Sequence, residues 1–187
     1  MTQDIMVKVV VFVLASLALA YVSRASILVP RSHGFYRFFA WEAILGQALL
    51  NVGIWFRDPL SWHQIISWVL LMVSLCLVIE GVRLLKGKGR PDTERNEPPL
   101  ISFEKTTRLV SVGVYRYIRH PMYSSLLFLA WGIFFKGPSW IGAVLAAAAT
   151  LFLVITARIE EDEDKRFFGP KYEEYMIQTK MFIPYLF

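Results

Sequence analysis

A chain of 187 residues with 56% hydrophobic and 15% aromatic residues and a mean hydropathy of +0.47 is too apolar for an ordinary soluble domain. Its net charge of +5 and pI near 9.4 do not mark a nucleic-acid partner, because the cations lie in loops between apolar blocks, where membrane topology accounts for them. The one cysteine, Cys76, sits inside an apolar run, which excludes a disulfide framework and leaves no cysteine-based metal site.

Crossing a bilayer takes about 20 residues of helix, since unpaired backbone groups are costly in lipid. The apolar blocks predict helices over Ile5–Val22, Phe38–Phe56 and Leu60–Leu85, then a hairpin of Tyr123–Phe135 and Trp140–Ala157 turning at Lys136-Gly137-Pro138-Ser139. The first block has the length of a signal peptide but no convincing cleavage site, and it reads as a retained span. In the second, Glu42, Gln47 and Asn51 recur at helical spacing; hydrogen bonding between helices, or a segment boundary a few residues away, is favoured over a substrate-lining role.

Arg24, Arg31 and Arg37 follow the first block, and Lys86, Lys88, Arg90, Arg95, Lys105, Arg108, Arg116 and Arg119 separate the third from the fourth. Both loops are expected in the cytosol. The expected fold is therefore an all-α integral membrane protein of about five transmembrane helices, amino terminus outside and carboxyl terminus cytosolic. Its small size and lack of a retrieval signal point to a cell inner membrane. Residues 1–85 read as a scaffold of membrane helices, 86–105 as a polar cytosolic linker, and 106–187 as the part that carries chemistry.

That chemistry begins at Gly113–Tyr123, GVYRYIRHPMY, where polar and aromatic residues stand at the edge of an apolar segment. Pro121 fixes its own φ and pushes His120 out of helical geometry, so a helix is expected to start at the proline with His120 at its entrance. Amides at such an entrance suit a carboxylate or a sugar hydroxyl, and Tyr115 and Tyr123 offer aromatic walls with hydroxyl handles. After the last apolar block comes Arg158-Ile159-Glu160-Glu161-Asp162-Glu163-Asp164-Lys165-Arg166, closed by Phe167-Phe168-Gly169-Pro170. Glu161 with Lys165 and Asp162 with Arg166 are expected as pairs on its surface. Lys171-Tyr172-Glu173-Glu174-Tyr175-Met176 then predicts a short amphipathic helix on the cytosolic side.

Taken in order, LVSVGVYRYIRHPMY, Gly132, RIEEDED, FFGPKYEEYM and the terminal MFIP resemble the isoprenylcysteine carboxyl methyltransferase family, which is akin to membrane phospholipid N-methyltransferases. The resemblance covers about Thr106 to Pro184. It implies an S-adenosylmethionine-dependent methyltransferase that binds its cofactor in a cytosol-facing pocket without a Rossmann domain. Carried over by position, the cofactor contacts fall on Arg108, Leu109, Val110, Tyr115, His120, Pro121, Met122, Tyr123, Glu160 and Glu161, with His120, Glu160 and Glu161 as the catalytic candidates and no metal. One departure concerns the acceptor. Relatives place a substrate-binding arginine four residues before the glutamate; here that position is Thr156, and Arg158 follows two residues later, so Arg158 is the candidate for substrate binding.

The implied partners are a lipophilic or lipid-modified acceptor and membrane lipid. An attacking carboxylate needs no base, whereas an attacking amine must first lose a proton, which would make His120, Glu160 or Glu161 the base. The sequence leaves both open, with phospholipid N-methylation as the alternative reaction. A non-catalytic transporter or assembly protein is the reading from another class.

Overall fold

The computed structural model describes residues 2–89 and 107–187. Its helices are α1 (Thr2–Val22), α2 (Arg24–Ile27), α3 (His33–Asn51), α4 (Trp62–Lys88), α5 (Pro121–Phe134), α6 (Trp140–Phe168) and α7 (Pro170–Gln178). Among the described residues there is no strand, only a lone parallel bridge between Ile118 and Lys180. α4 runs on through Lys86 and Lys88; beyond Gly89, the linker expected at 86–105 lies outside the described residues, as do Arg90, Arg95 and Lys105.

Gln3–Val22, Trp62–Lys88 and Trp140–Phe168 are each long and apolar enough to cross a membrane, and Pro121–Phe134 is a shorter apolar helix. α3 falls short of that standard because His33, Arg37, Glu42, Gln47 and Asn51 interrupt its apolar residues. It is nevertheless central, since its main packing partner is α6. Arg37, expected in a loop, lies inside α3 and is buried.

Cross-helix hydrogen bonds show α1, α3, α4, α5 and α6 alternating in direction. Ser16 of α1 donates to Glu42 of α3 at 2.6 Å. Gln47 donates to the Gly142 carbonyl at 2.9 Å and Asn51 to the Ile133 carbonyl at 3.1 Å. Ser67 donates to Gly132 and Ser74 to Ser125, each at 2.7 Å, tying α4 to α5. Trp131 Nε1 donates to Thr150 Oγ1 at 3.1 Å between α5 and α6. Polar residues inside lipid need such partners, and hydrogen bonding between helices is the reading of Glu42, Gln47 and Asn51 that the structure contains.

The core uses small residues so that helix backbones approach closely. Ala40, Ala130, Ala146, Ala149 and Ala157 are fully buried around Tyr123, Ile133 and Leu153. At Gly132 of α5 an added Cβ would meet Leu71 Cδ2 of α4 at 2.9 Å. α6 ends because Gly169 takes φ 62, which turns the chain directly into α7 with Pro170 at its first position. By contrast, none of the apolar stretch of α1 is buried inside the protein, so that helix presents its length to lipid.

Candidate functional site

One end of the bundle is shared by the last turn of α1, the first turn of α3 and the last turn of α4, with the entrance of α5 and the last three turns of α6. There a backbone seam fixes the segment before α5. Arg119 N donates to Lys180 O at 2.8 Å, Lys180 N to Tyr117 O at 3.0 Å, and His120 N to Met181 O at 3.2 Å. His120 occupies the cap position with φ −120 and ψ 62, and Pro121 opens the helix, as a pre-proline residue requires. Its carbonyl accepts from Ser124 N at 2.8 Å and Ser124 Oγ at 2.9 Å, while the same hydroxyl also reaches Phe182 O at 2.9 Å. The imidazole stacks on Tyr123 at 5.5 Å between centroids, with planes 20° apart.

Facing it, α6 distributes its carboxylates. Glu161 is buried and accepts from Arg119 Nε at 2.6 Å. His120 Nε2 lies 3.4 Å from Glu161 Oε1, and His120 Nδ1 lies 3.9 Å from Glu160 Oε2. Glu163 Oε2 is 2.7 Å from His33 Nδ1 of α3. The expected surface pair Glu161–Lys165 does not form, because Glu161 turns inward to Arg119; Lys165 instead bonds Asp162 at 2.9 Å. Arg119 is itself held in register, donating to the Met176 and Thr179 carbonyls at 3.2 and 2.5 Å.

Between these elements lies a cleft of about 640 Å³, partly open to solvent. Leu109, Val110, Tyr115, His120, Pro121, Met122, Tyr123 and Glu160 line it, all of them residues expected at the site from the sequence. Glu161 sits one layer behind, against Arg119 and His120. Arg108 is exposed, its backbone N–H bonded to the Gly89 carbonyl at 3.2 Å. Arg158 is exposed on α6 while Thr156 is fully buried, so the two point to different sides of the helix, and Arg158 does not line the cleft.

The remaining walls were not predicted: Leu85, Arg119, Asp164, Phe168, Tyr172 and Tyr175. Tyr172 and Tyr175 recur at a three-residue spacing on an amphipathic helix, a signal that marks a buried face. Burial, with the nearby carboxylates, pushes the Tyr172 hydroxyl well above the ordinary tyrosine range. Tyr175 is pushed up by burial as well, and its hydroxyl donates to the Tyr115 carbonyl at 2.6 Å. Both rings are therefore neutral walls.

The lining suits a nucleoside that carries a zwitterionic amino acid. Aromatic faces occur beside charged groups, and polar capacity is left unused. His120 Nε2 and Glu160 Oε2 are buried without a well-aligned hydrogen bond, which is costly unless a ligand supplies the partner. Among the described residues no cluster of His, Cys, Asp and Glu has the arrangement of a metal site.

The chain matches the phospholipid methyltransferase family over residues 62–171, a stretch that contains both His120 and Glu160. It is 28% identical over 146 residues to a methanethiol S-methyltransferase of Pseudomonas deceptionensis, covering 78% of this chain and 48% of that protein. A methanethiol S-methyltransferase of Crocosphaera subtropica is 29% identical over 159 residues, covering 80% of this chain and 55% of the relative. A probable protein-S-isoprenylcysteine O-methyltransferase of Oryza sativa subsp. indica is 29% identical over 170 residues, covering 88% and 82%. The chain thus spans about half the length of the two methanethiol S-methyltransferases and most of the rice protein. No solved structure matches it significantly.

Proposed function

The chain belongs to the phospholipid methyltransferase family, and from that premise we propose that it methylates a lipophilic acceptor at a membrane face, with S-adenosylmethionine as donor. The observation that carries this reading is the meeting of His120 and Glu160, 3.9 Å apart across two helices, in one cleft with unused polar atoms. When bound, S-adenosylmethionine supplies an already activated methyl group, so the protein needs no covalent intermediate.

The protein's work is positioning. His120, Tyr123 and Glu160 hold the donor, with Tyr115, Tyr172 and Phe168 as apolar walls and Leu109, Val110, Pro121 and Met122 closing the cleft toward α4. Arg108 is the outer contact for the donor's carboxylate. Glu161, fixed by Arg119, keeps the His120 ring oriented. The helices on the lipid side exclude water from the transfer.

The acceptor reading is isoprenylcysteine carboxylate-like, supported by alignment over 82% of the rice relative. In this reading Arg158, exposed on α6 outside the cleft, meets an anionic group of the acceptor at the membrane surface. A thiol acceptor is the second reading, favoured by the two methanethiol relatives. An amine acceptor would need His120, Glu160 or Glu161 as base. The cations of the cleft end, Arg24, Arg31, Lys86, Lys88 and Arg116, support a cytosolic cleft with the amino terminus outside. Residues 106–187 then form the methyltransferase core.

Purified protein in detergent is expected to bind S-adenosylhomocysteine in calorimetry, and a His120→Ala, Glu160→Ala double change is expected to abolish that binding. Undiminished binding overturns the reading. Membranes supplied with methyl-labelled donor then separate the acceptors: base-labile label marks an ester, whereas base-stable label marks an N-methyl or S-methyl product.

A further inference from the structure

Two charged clusters meet where α3 begins and α6 nears its end: His33 and Arg37 on α3, and Glu160, Glu161, Glu163 and Asp164 on α6. A cation is unfavourable at a helix amino end, so local helix stability does not account for His33; its carboxylate partner on α6 does. His33 is 1% exposed and Arg37, one turn later, is 8% exposed. His33 Nδ1 bonds Glu163 at 2.7 Å, and both cations act electrostatically on Glu160. His33 is anchored in turn, because Ser32 caps α3 by accepting from Phe35 N at 3.1 Å.

The α6 carboxylates are thereby sorted. Glu161 is taken by Arg119 and Glu163 by His33, while Glu160 and Asp164 line the cleft wall. Without an opposing cation, Glu163 would be a partly buried charge lacking its partner, and this turn of α6 would shift to hydrate it.

We infer that His33 and Arg37 are positioning residues for the cleft: from α3 they hold the Glu160–Glu163 turn of α6 so that Glu160 presents its carboxylate to the donor. This rests on the methyltransferase reading and extends the site into the half of the chain that sequence alone marks as scaffold.

The test measures S-adenosylhomocysteine affinity by calorimetry, with a melting curve for each variant, on wild type, His33→Gln, Arg37→Gln, Arg37→Lys, Glu163→Gln and the remote control Arg57→Ala. Misplacing a site group from outside the site costs up to about a hundredfold, so His33→Gln and Arg37→Gln are expected to weaken binding about tenfold or more. Arg37→Lys is expected to recover most of the Arg37→Gln loss, and adding Glu163→Gln to His33→Gln to cost little more. Arg57→Ala should leave affinity unchanged. If His33→Gln and Arg37→Gln match wild type, or if Arg37→Lys binds as poorly as Arg37→Gln, the inference is overturned while the cofactor reading stands. If wild type itself fails to bind, the reading falls and the inference with it. Should the His33 variant not fold, Glu163→Gln alone decides, since an unchanged affinity there overturns the inference.

Discussion

At the turn of the α5–α6 hairpin the Lys136 ammonium is 1% exposed, lies 3.2 Å from the Trp68 ring centroid and 5.4 Å from that of Trp55, and donates to Gln64 Oε1 at 3.0 Å. At the opposite end of the same hairpin His120 and Glu160 are also deeply placed, but each keeps a buried polar atom without a well-aligned hydrogen bond. The first cluster is closed: Gln64 spends its amide on the Lys136 carbonyl at 3.0 Å, and His63 reaches the Phe135 carbonyl at 3.0 Å. The second is open to a cleft. Burying charge at a satisfied site fixes structure, whereas burying it with capacity left over prepares binding.

The comparison can be broken most forcefully at Lys136. Lys136→Ala removes a hydrogen bond from a charged donor, worth about 1.5–3 kcal/mol, and a cation–π contact of roughly 2 kcal/mol. A large fall in thermal stability, followed by fluorescence-detected gel filtration, is expected, with unchanged S-adenosylhomocysteine affinity in the fraction that remains folded. The converse holds for Glu160→Gln, where affinity is expected to fall about a hundredfold, near 2.7 kcal/mol, while the melting temperature stays level or rises. Equal losses of stability and affinity in either variant would erase the distinction between the two ends.

Smaller effects sharpen it. Gly132→Val forces a methyl into Leu71 and is expected to cost about 1–3 kcal/mol in stability through overpacking, without altering which donor analogues bind. The smallest effect concerns pH. Burial lowers the His33 pKa, but the Glu163 hydrogen bond and the Glu160 charge outweigh it, so the net direction is upward from the ordinary 6.5. Its stabilising contribution is therefore complete below 6.5 and is lost as pH rises through the raised value. Wild type should lose melting temperature across that window and His33→Gln should not.

Much of the fold is legible in hydropathy. α1, α4 and the α5–α6 hairpin follow their apolar blocks, and RHPMY announces the α5 entrance through proline chemistry alone. Tyr115, His120, Tyr123 and Glu160 line one cleft. Hidden from the sequence are contacts between polar residues far apart in the chain. His33 and Glu163 share no periodic signal, and a loop cation such as Arg37 was expected to be has the same composition as a buried counterion. The inward turn of Glu161 likewise depends on Arg119 arriving from the segment before α5. The fate of Lys136 follows from the same cause, since a lysine in a hairpin turn reads as solvated until Trp55 and Trp68 close over it.

The unbroken run of α6 sets a depth gauge. Trp140 stands 84% exposed at its start, where a tryptophan favours the headgroup level, and at 1.5 Å per residue Glu160 lies about 30 Å further along the axis, close to one hydrocarbon thickness. Glu160 and the cleft beside it are thus set about one hydrocarbon thickness from Trp140 by a rigid rod. On the methyltransferase reading proposed above, bilayer thickness becomes a control on turnover: lipids with markedly longer tails would draw the carboxylate below the surface, away from any water-soluble donor.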